Sequence, residues 1–328
     1  MVKDADRLIA ENRKRIRDTQ ANFIEVTARR ASRDLSFPRN LIEVTVEVEV
    51  YKRSLNSSLI SGHPDGSTYG SGHGEAGDVR GGWTLVEDVE NSATWTKDGR
   101  TALRDSLAGD AGAMEEAVLG HGTSDAATDD VALDSKQATV HADGTKDNRN
   151  TTRGHGIYLF QQHNEAATEF GLIDTDGRLL CRVTVDDVAP TKDEEVRAEV
   201  ILTFEGDGRG NSVVTNEGER TTADSIREDS VAVGLEKIAW GNGAVQFSKS
   251  DTSLTNEIIR KNATRELELE SLRVFGKLYK NEPAGQPYDM SEIAVFDNNG
   301  NMYWATMFAE EEKDDSAPMT STVGFRFN

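Results

Sequence analysis

Four groups of residues in this chain have types and spacings that could support chemistry. Asp174-Thr175-Asp176-Gly177 has the acidic, glycine-containing opening of a calcium loop. A working loop also needs downstream oxygen ligands ending in a bidentate glutamate, but Arg178, Leu179 and Leu180 follow. A hairpin turn therefore explains this segment better. His63 and His73, with Asp65 and Glu75 nearby, offer metal ligands in the glycine- and serine-rich stretch 61–82. Two histidines in so permissive a backbone give too few fixed ligands, so an exposed loop is the better reading. His121 stands between Gly120 and Gly122 and reads as a turn residue. Cys181, the single cysteine, could act as a nucleophile only in an electropositive, partly exposed setting beside a base. One cysteine also excludes an internal disulfide and a multi-cysteine zinc site. No G-x-S-x-G, phosphate loop or paired-histidine metal motif is present, and carboxylates are too abundant for any one pair to be informative. We assign no catalytic, cofactor-binding or metal-ligating residue, expect no cofactor, and read the chain as non-enzymatic.

The elements that would hold these residues are written twice. Gly122–Leu133 falls on Gly243–Leu254 at an offset of 121, and Glu169–Phe204 falls on Glu292–Phe327 at an offset of 123 without a gap. The matched positions include Glu169/Glu292, Asp174/Asp297, Gly177/Gly300, Val200/Val323 and Phe204/Phe327. Cys181 aligns with Trp304 and His121 with Asn242, so thiol or imidazole chemistry is not common to the two copies; a position that accepts Trp in the middle of a strand is a core position. Asp176-Gly177 and Asn299-Gly300 between apolar runs predict hairpins with type I′ turns, which need positive φ at both central residues. A third strand follows each hairpin, at Val196–Phe204 and Thr320–Phe327. Helical stretches are expected from Arg100 to Gly120 and from Arg220 to Ala239.

Upstream, Leu8, Ile9, Ile16, Phe23 and Ile24 form an apolar stripe at helical spacing within Asp4–Arg30. Phe37-Pro38 ends any helix. Leu41–Tyr51 alternates Val44, Val46, Val48 and Val50 with Glu43, Thr45, Glu47 and Glu49, a strand with one buried face and one in water. The fold expected is mainly β: an N-terminal helix and strand region over 1–97, then two tandem related β-sandwich-like modules over 98–205 and 218–328.

Composition narrows the setting. A net charge of −21 disfavours nucleic acid and anionic membrane as partners. Arg outnumbers Lys by roughly two to one, and such an acidic, Lys-poor surface suits a high-salt cytoplasm that screens carboxylate repulsion. No run approaches the roughly 18 apolar residues of a membrane span, and the start lacks a signal-peptide pattern. The chain is therefore expected to be soluble, without membrane insertion and outside the ordinary secretory route.

Glu169–Arg182 (EFGLIDTDGRLLCR), preceded by a glycine-x-glycine and a spacer ending in an acidic residue and a leucine, resembles the module of tail-fibre and tail-collar proteins of tailed viruses, whose pattern reads roughly EIGLFDxxGxLLAR. The second copy keeps Glu292, Ile293, Phe296, Asp297 and Gly300 but has Ala305 where the first has Arg182, so a role for Arg182 is not general. The resemblance covers about two thirds of the chain and omits the first hundred residues. It implies a virion component assembled in the host cytoplasm, homo-oligomeric, in contact with other virion proteins and exposed for attachment to a host cell-surface glycan or surface-layer protein. With this composition, the source implied is a virus of a salt-loving archaeon. A tail fibre or baseplate part is the first choice and a capsid turret or spike the second. A glycan-degrading tailspike would need two carboxylates about 5–10 Å apart in a groove and usually carries a short solenoid repeat, which this sequence lacks.

The charge density sets a measurable expectation. Thermal unfolding followed from low to multimolar potassium chloride should show a steep rise in midpoint, and a flat series would remove the halophilic reading.

Overall fold

The computed structural model describes residues 33–37, 40–54, 83–89, 93–110, 112–148, 150–159, 166–189, 194–207, 211–227, 233–285, 287–314 and 317–327. The expected helix over Asp4–Arg30 and the glycine-rich stretch 61–82 lie outside these residues. What is described is mainly β.

Three strands come first: β1 (Arg33–Ser36), β2 (Asn40–Ser54) and β3 (Thr84–Val89). The first copy then runs β4 (Ala93–Trp95), α1 (Lys97–Leu107), β5 (Met114–Gly120), β6 (Lys136–His141), β7 (Asp143–Asn148), β8 (Thr151–Leu159), β9 (Ala167–Asp174), β10 (Leu179–Val188) and β11 (Glu194–Asp207). The second repeats that order as β12 (Ser212–Val214), α2 (Asn216–Ile226), β13 (Leu235–Gly241), β14 (Glu257–Asn262), β15 (Thr264–Glu268), β16 (Ser271–Leu278), β17 (Tyr288–Asp297), β18 (Met302–Lys313) and β19 (Met319–Phe327). Each structural unit opens on a short strand a few residues ahead of positions 98 and 218.

Strand order is the same in both copies. One five-stranded sheet is β4-β10-β9-β5-β6 and the other β12-β18-β17-β13-β14. The remaining strands enter a single nine-stranded sheet whose main path is β15-β16-β19-β2-β11-β8-β7. The copies are thus tandem in sequence but share their second layer, with the N-terminal strand β2 between them. β2 pairs antiparallel with β11 along its length, and Asn40–Ile42 pair parallel with Phe325–Phe327.

Three local expectations change. The strand after each hairpin leaves its sheet: β11 and β19 cross to the shared sheet, where β11 pairs with β2 and β8. Each helix ends at Leu107 or Ile226, and Met114–Gly120 and Leu235–Gly241 are strands, because their Val and Ile side chains meet the core. The hairpin turns have positive φ only at Gly177 (78°) and Gly300 (86°), with Gly177 N donating to Asp174 O and Gly300 N to Asp297 O. That is a turn closed by a left-handed glycine and followed by a bulge, rather than type I′.

The helices lock the copies together. α1 rests on β10 of its own copy and on β16 and β19 of the other; α2 rests on β18 and on β8 and β11. The two helices touch where Ser106 Oγ donates to Ser225 O at 2.6 Å. Their starts are built alike: Thr96 and Thr215 cap them, accepting from Gly99 N and Gly218 N at 3.0 Å. Both hydroxyls also donate to β10 or β18 carbonyls, at Leu179 and Met302. A Cβ on Gly99 or Gly218 would drive into the backbone carbonyl of Leu180 or Tyr303.

Gly99→Ala and Gly218→Ala should each lower stability by about 1–3 kcal/mol in denaturant unfolding, because the helix must lift off its sheet. Gly177→Ala, with open space around it, should cost only about 1 kcal/mol from its left-handed backbone. Equal effects at all three positions would contradict the close approach.

Candidate functional site

The acidic residue that opens the repeated motif is a buried loop anchor. Glu169 is fully buried near the start of β9, and its carboxylate accepts from Gly122 N at 2.8 Å, Ser135 N at 2.9 Å and Asp134 N at 3.1 Å. It thereby fixes both ends of the loop 121–135 across the outer face of the sheet. Gly120 and Gly122 have no side chain because a Cβ there would strike this carboxylate. Arg182, 1 % exposed, donates Nε to Glu169 at 2.9 Å and reaches Asp130 at 2.9 Å and Asp134 at 2.8 Å. Asp134 is held below the usual carboxylate range, chiefly by the Ser124 hydroxyl and then by Arg182.

The second copy keeps the anchor and replaces the cation. Glu292 accepts from Asn256 N at 3.3 Å, and among the described residues its Oε1 has no partner. Where Arg182 stood, Ala305 lies in a small apolar cluster with Phe247, Leu254, Ala294, Phe296 and Met302. Phe247 aligns with Ala126, so one copy fills this space with a guanidinium and the other with a phenyl ring. Apolar packing is a known substitute for a buried ion cluster.

Asp174 takes Asp176 N, Arg178 N and Arg178 Nε at 2.7–3.0 Å, and Asp297 takes Asn301 N and the Thr221 hydroxyl. Both carboxylates are spent on holding a turn, which leaves the calcium-loop reading without ligands. Cys181 and Trp304 occupy equivalent buried positions. Cys181 faces Trp95 across β10–β4, and Trp304 faces Val214 across β18–β12. The large residue has changed strands, which conserves the volume of the layer. Burial pushes the Cys181 thiol up to about 12, the opposite of what a nucleophile needs. His121 Nδ1 donates to Ala166 O at 2.5 Å, and Asn242 Oδ1 accepts from Asn256; both serve loop turns. His63, His73, Asp65 and Glu75 lie outside the described residues. Among the described residues no three His, Cys, Asp or Glu side chains are placed to hold a metal ion, and no helix is long and apolar enough to cross a membrane.

One cluster escaped sequence reasoning. The polar face of β2, expected to stand in water, is paired: Arg53 lies opposite Glu195, Tyr51 opposite Arg197, and Glu49 opposite Glu199. The facing carboxylates Glu49 and Glu199 would repel, and Arg153 Nη1 from β8 bridges them at 2.9 and 2.8 Å. Arg53 covers the Trp83 ring at 4.5 Å and Arg197 the Tyr51 ring at 5.4 Å. Burial, and then the neighbouring Glu49, push the Tyr51 phenol up to about 12. With both carboxylates bonded to the same guanidinium, the cluster is arranged to stiffen the shared sheet rather than to exchange protons. Also missed was the repeated Thr96-x-x-Gly99 and Thr215-x-x-Gly218. Its signal was present at an offset of 119, two residues from the offset of the neighbouring block.

Comparison with protein-family models, with curated proteins and with solved structures returned no match.

The two solutions to the buried glutamate can be exchanged. Arg182→Ala should destabilise by about 3–5 kcal/mol in equilibrium unfolding, since Glu169 loses its cation. Adding Ala126→Phe, which copies the second module, should recover a measurable part. A double variant no better than the single would show that the two pockets are not equivalent.

Proposed function

We propose that the chain is a structural protein of the particle of a tailed archaeal virus, a tail-fibre or baseplate component. In this reading it associates with itself and with other virion proteins and presents a surface to a host glycan or surface-layer protein. The observation that carries the reading is what the repeated motif does physically. Glu169/Glu292 anchor the loops 121–135 and 242–256, and Asp174/Asp297 with Gly177/Gly300 close the hairpins beside them. A motif kept in two copies that ties a loop to its sheet in each suits a display scaffold. Those loops carry exposed apolar side chains, Val131 at 71 % and Val245 at 63 % exposure, of the kind that a partner surface covers. The dense negative charge keeps such a scaffold soluble in concentrated salt and away from nucleic acid.

Light scattering of the purified chain in multimolar potassium chloride should give a discrete oligomer. Antibodies raised against it should decorate the tail end of virions in electron micrographs. Labelling at the capsid vertices would move the protein to a turret or spike, and a monomer that labels no part of the particle would overturn the proposal.

A further inference from the structure

The lysines of this lysine-poor chain gather at one place, where the ends of β14 and β16 meet the turn 279–282. Lys261 Nζ stands 4.6 Å and Lys277 Nζ 5.5 Å from the centre of the Tyr279 ring, which is 56 % exposed. The turn is built to hold them. Glu282 accepts from Tyr279 N at 3.0 Å, returns its own N–H to Tyr279 O at 3.1 Å, and binds the Lys261 ammonium. Beneath it the buried Lys313 donates to Lys280 O at 3.1 Å. Lys261 first, and then Tyr279 N, hold the Glu282 carboxyl below the usual carboxylate range, so its charge is committed to Lys261. Lys277 and Lys280 are exposed and, among the described residues, form no ion pair, although the chain carries a net charge of −21.

The fold does not ask for these charges. Lys277 faces Thr320 across β16 and β19, and Arg197, the counterpart of Thr320 at the offset of 123, faces Ile157. Lys261 faces Ile238, and Ala117, the counterpart of Ile238 at the offset of 121, faces Val140. The first copy thus keeps the same strand order with Ile157 and Val140 where the second has two ammonium groups.

We propose that Lys277, Tyr279 and Lys280 form a binding site for an acidic saccharide, with Lys261 and Glu282 positioning the ring. The phenol offers an apolar face and a free hydroxyl, amphipathic in the way a sugar ring is, and the two unpaired ammonium groups take carboxylates. A narrow ligand suits the surroundings better than an acidic protein. A protein partner covers about 800 Å², and it would meet the exposed carboxylates of Asp289 and Glu312, which face each other next to the Tyr288–Lys313 pair. A saccharide one ring wide reaches the lysines without meeting that acidic flank. The contact tolerates salt, because an ammonium–carboxylate bond of about 2.8 Å is no longer than the Debye length of about 3 Å at 1 M. This ligand class deepens the virion reading and rests on it only for the source of the saccharide.

The test titrates the full chain with oligogalacturonate and with its carboxyl-reduced, neutral counterpart, followed by ligand-observed NMR. The potassium chloride concentration is the lowest at which circular dichroism shows the folded protein. The uronate should bind at least about tenfold more tightly than the neutral oligomer. Lys277→Ile, which copies the first module, and Tyr279→Leu should each weaken uronate binding by about tenfold, whereas Lys136→Ala, at an exposed lysine of β6, should leave it unchanged. Circular dichroism establishes that the variants fold. No uronate binding, equal binding of the neutral oligomer, or unchanged binding by the Lys277 and Tyr279 variants would overturn the proposal. A polyglutamate peptide that binds as tightly as the uronate would assign the lysines to an acidic protein segment and overturn it too. Binding is read on the purified chain, so its failure leaves the labelling of virions standing, and failure of that labelling leaves the binding standing.

Discussion

β2 and β11 pair antiparallel along fourteen residues, and the other strands and both helices are arranged around that pairing. All fourteen residues of β11 find partners on β2, and the first residues of β2 pair on their other side with the end of β19. A strand from outside the duplication therefore occupies the seam between the copies. Without it, each copy would present a long unpaired edge of backbone donors and acceptors, the feature that makes isolated sheets aggregate. With it, the apolar side chains Val46, Val48 and Val50 join Phe204, Val323, Phe325 and the helices in one buried cluster that spans both copies. Neither module then has a complete core of its own, because each helix rests partly on the other copy's strands.

This shared layer also explains how the protein tolerates its charge. Among the described residues most carboxylates meet solvent, where dissolved ions screen their repulsion. Glu49, Glu199 and Glu169 are placed with counter-charges and donors. Arg153 bridges Glu49 and Glu199 across three strands, and Arg182 with three backbone N–H groups surrounds Glu169. Partly buried pairs of this kind are screened far less than surface pairs, so they hold the sheet and loops in place at salt concentrations that cancel ordinary ion pairs.

Duplication supplied a comparison inside one chain. The helix cap and the left-handed glycine of the turn are built alike in both copies, and a buried glutamate meets the loop backbone in both, through three N–H groups at Glu169 and through Asn256 N at Glu292. The contacts made by side chains alone have drifted: Arg182 with Ala126 became Ala305 with Phe247, and Trp95 with Cys181 became Val214 with Trp304. In each case volume is conserved while its owner changes, as close packing requires.

The mainly β character, the duplication, the alternating face of β2 and the buried place of Cys181 are legible in the residues alone, because each is a matter of local period or of matched positions. It also placed Gly177 and Gly300 in turns, where only glycine takes a left-handed backbone without strain. It misjudged the turn type, ran each helix into the following strand and kept β11 and β19 beside their hairpins. Those points are decided between strands: a run such as Met114–Gly120 forms helix or strand according to which neighbour offers hydrogen bonds. Three features come from the packed chain alone: the two copies share one sheet around β2, Glu169 and Glu292 reach back about 40 residues to meet a loop, and a groove opens where β1 ends. Each of these is a contact between segments far apart in the chain, and no local pattern of residue types carries the information that two distant segments will meet.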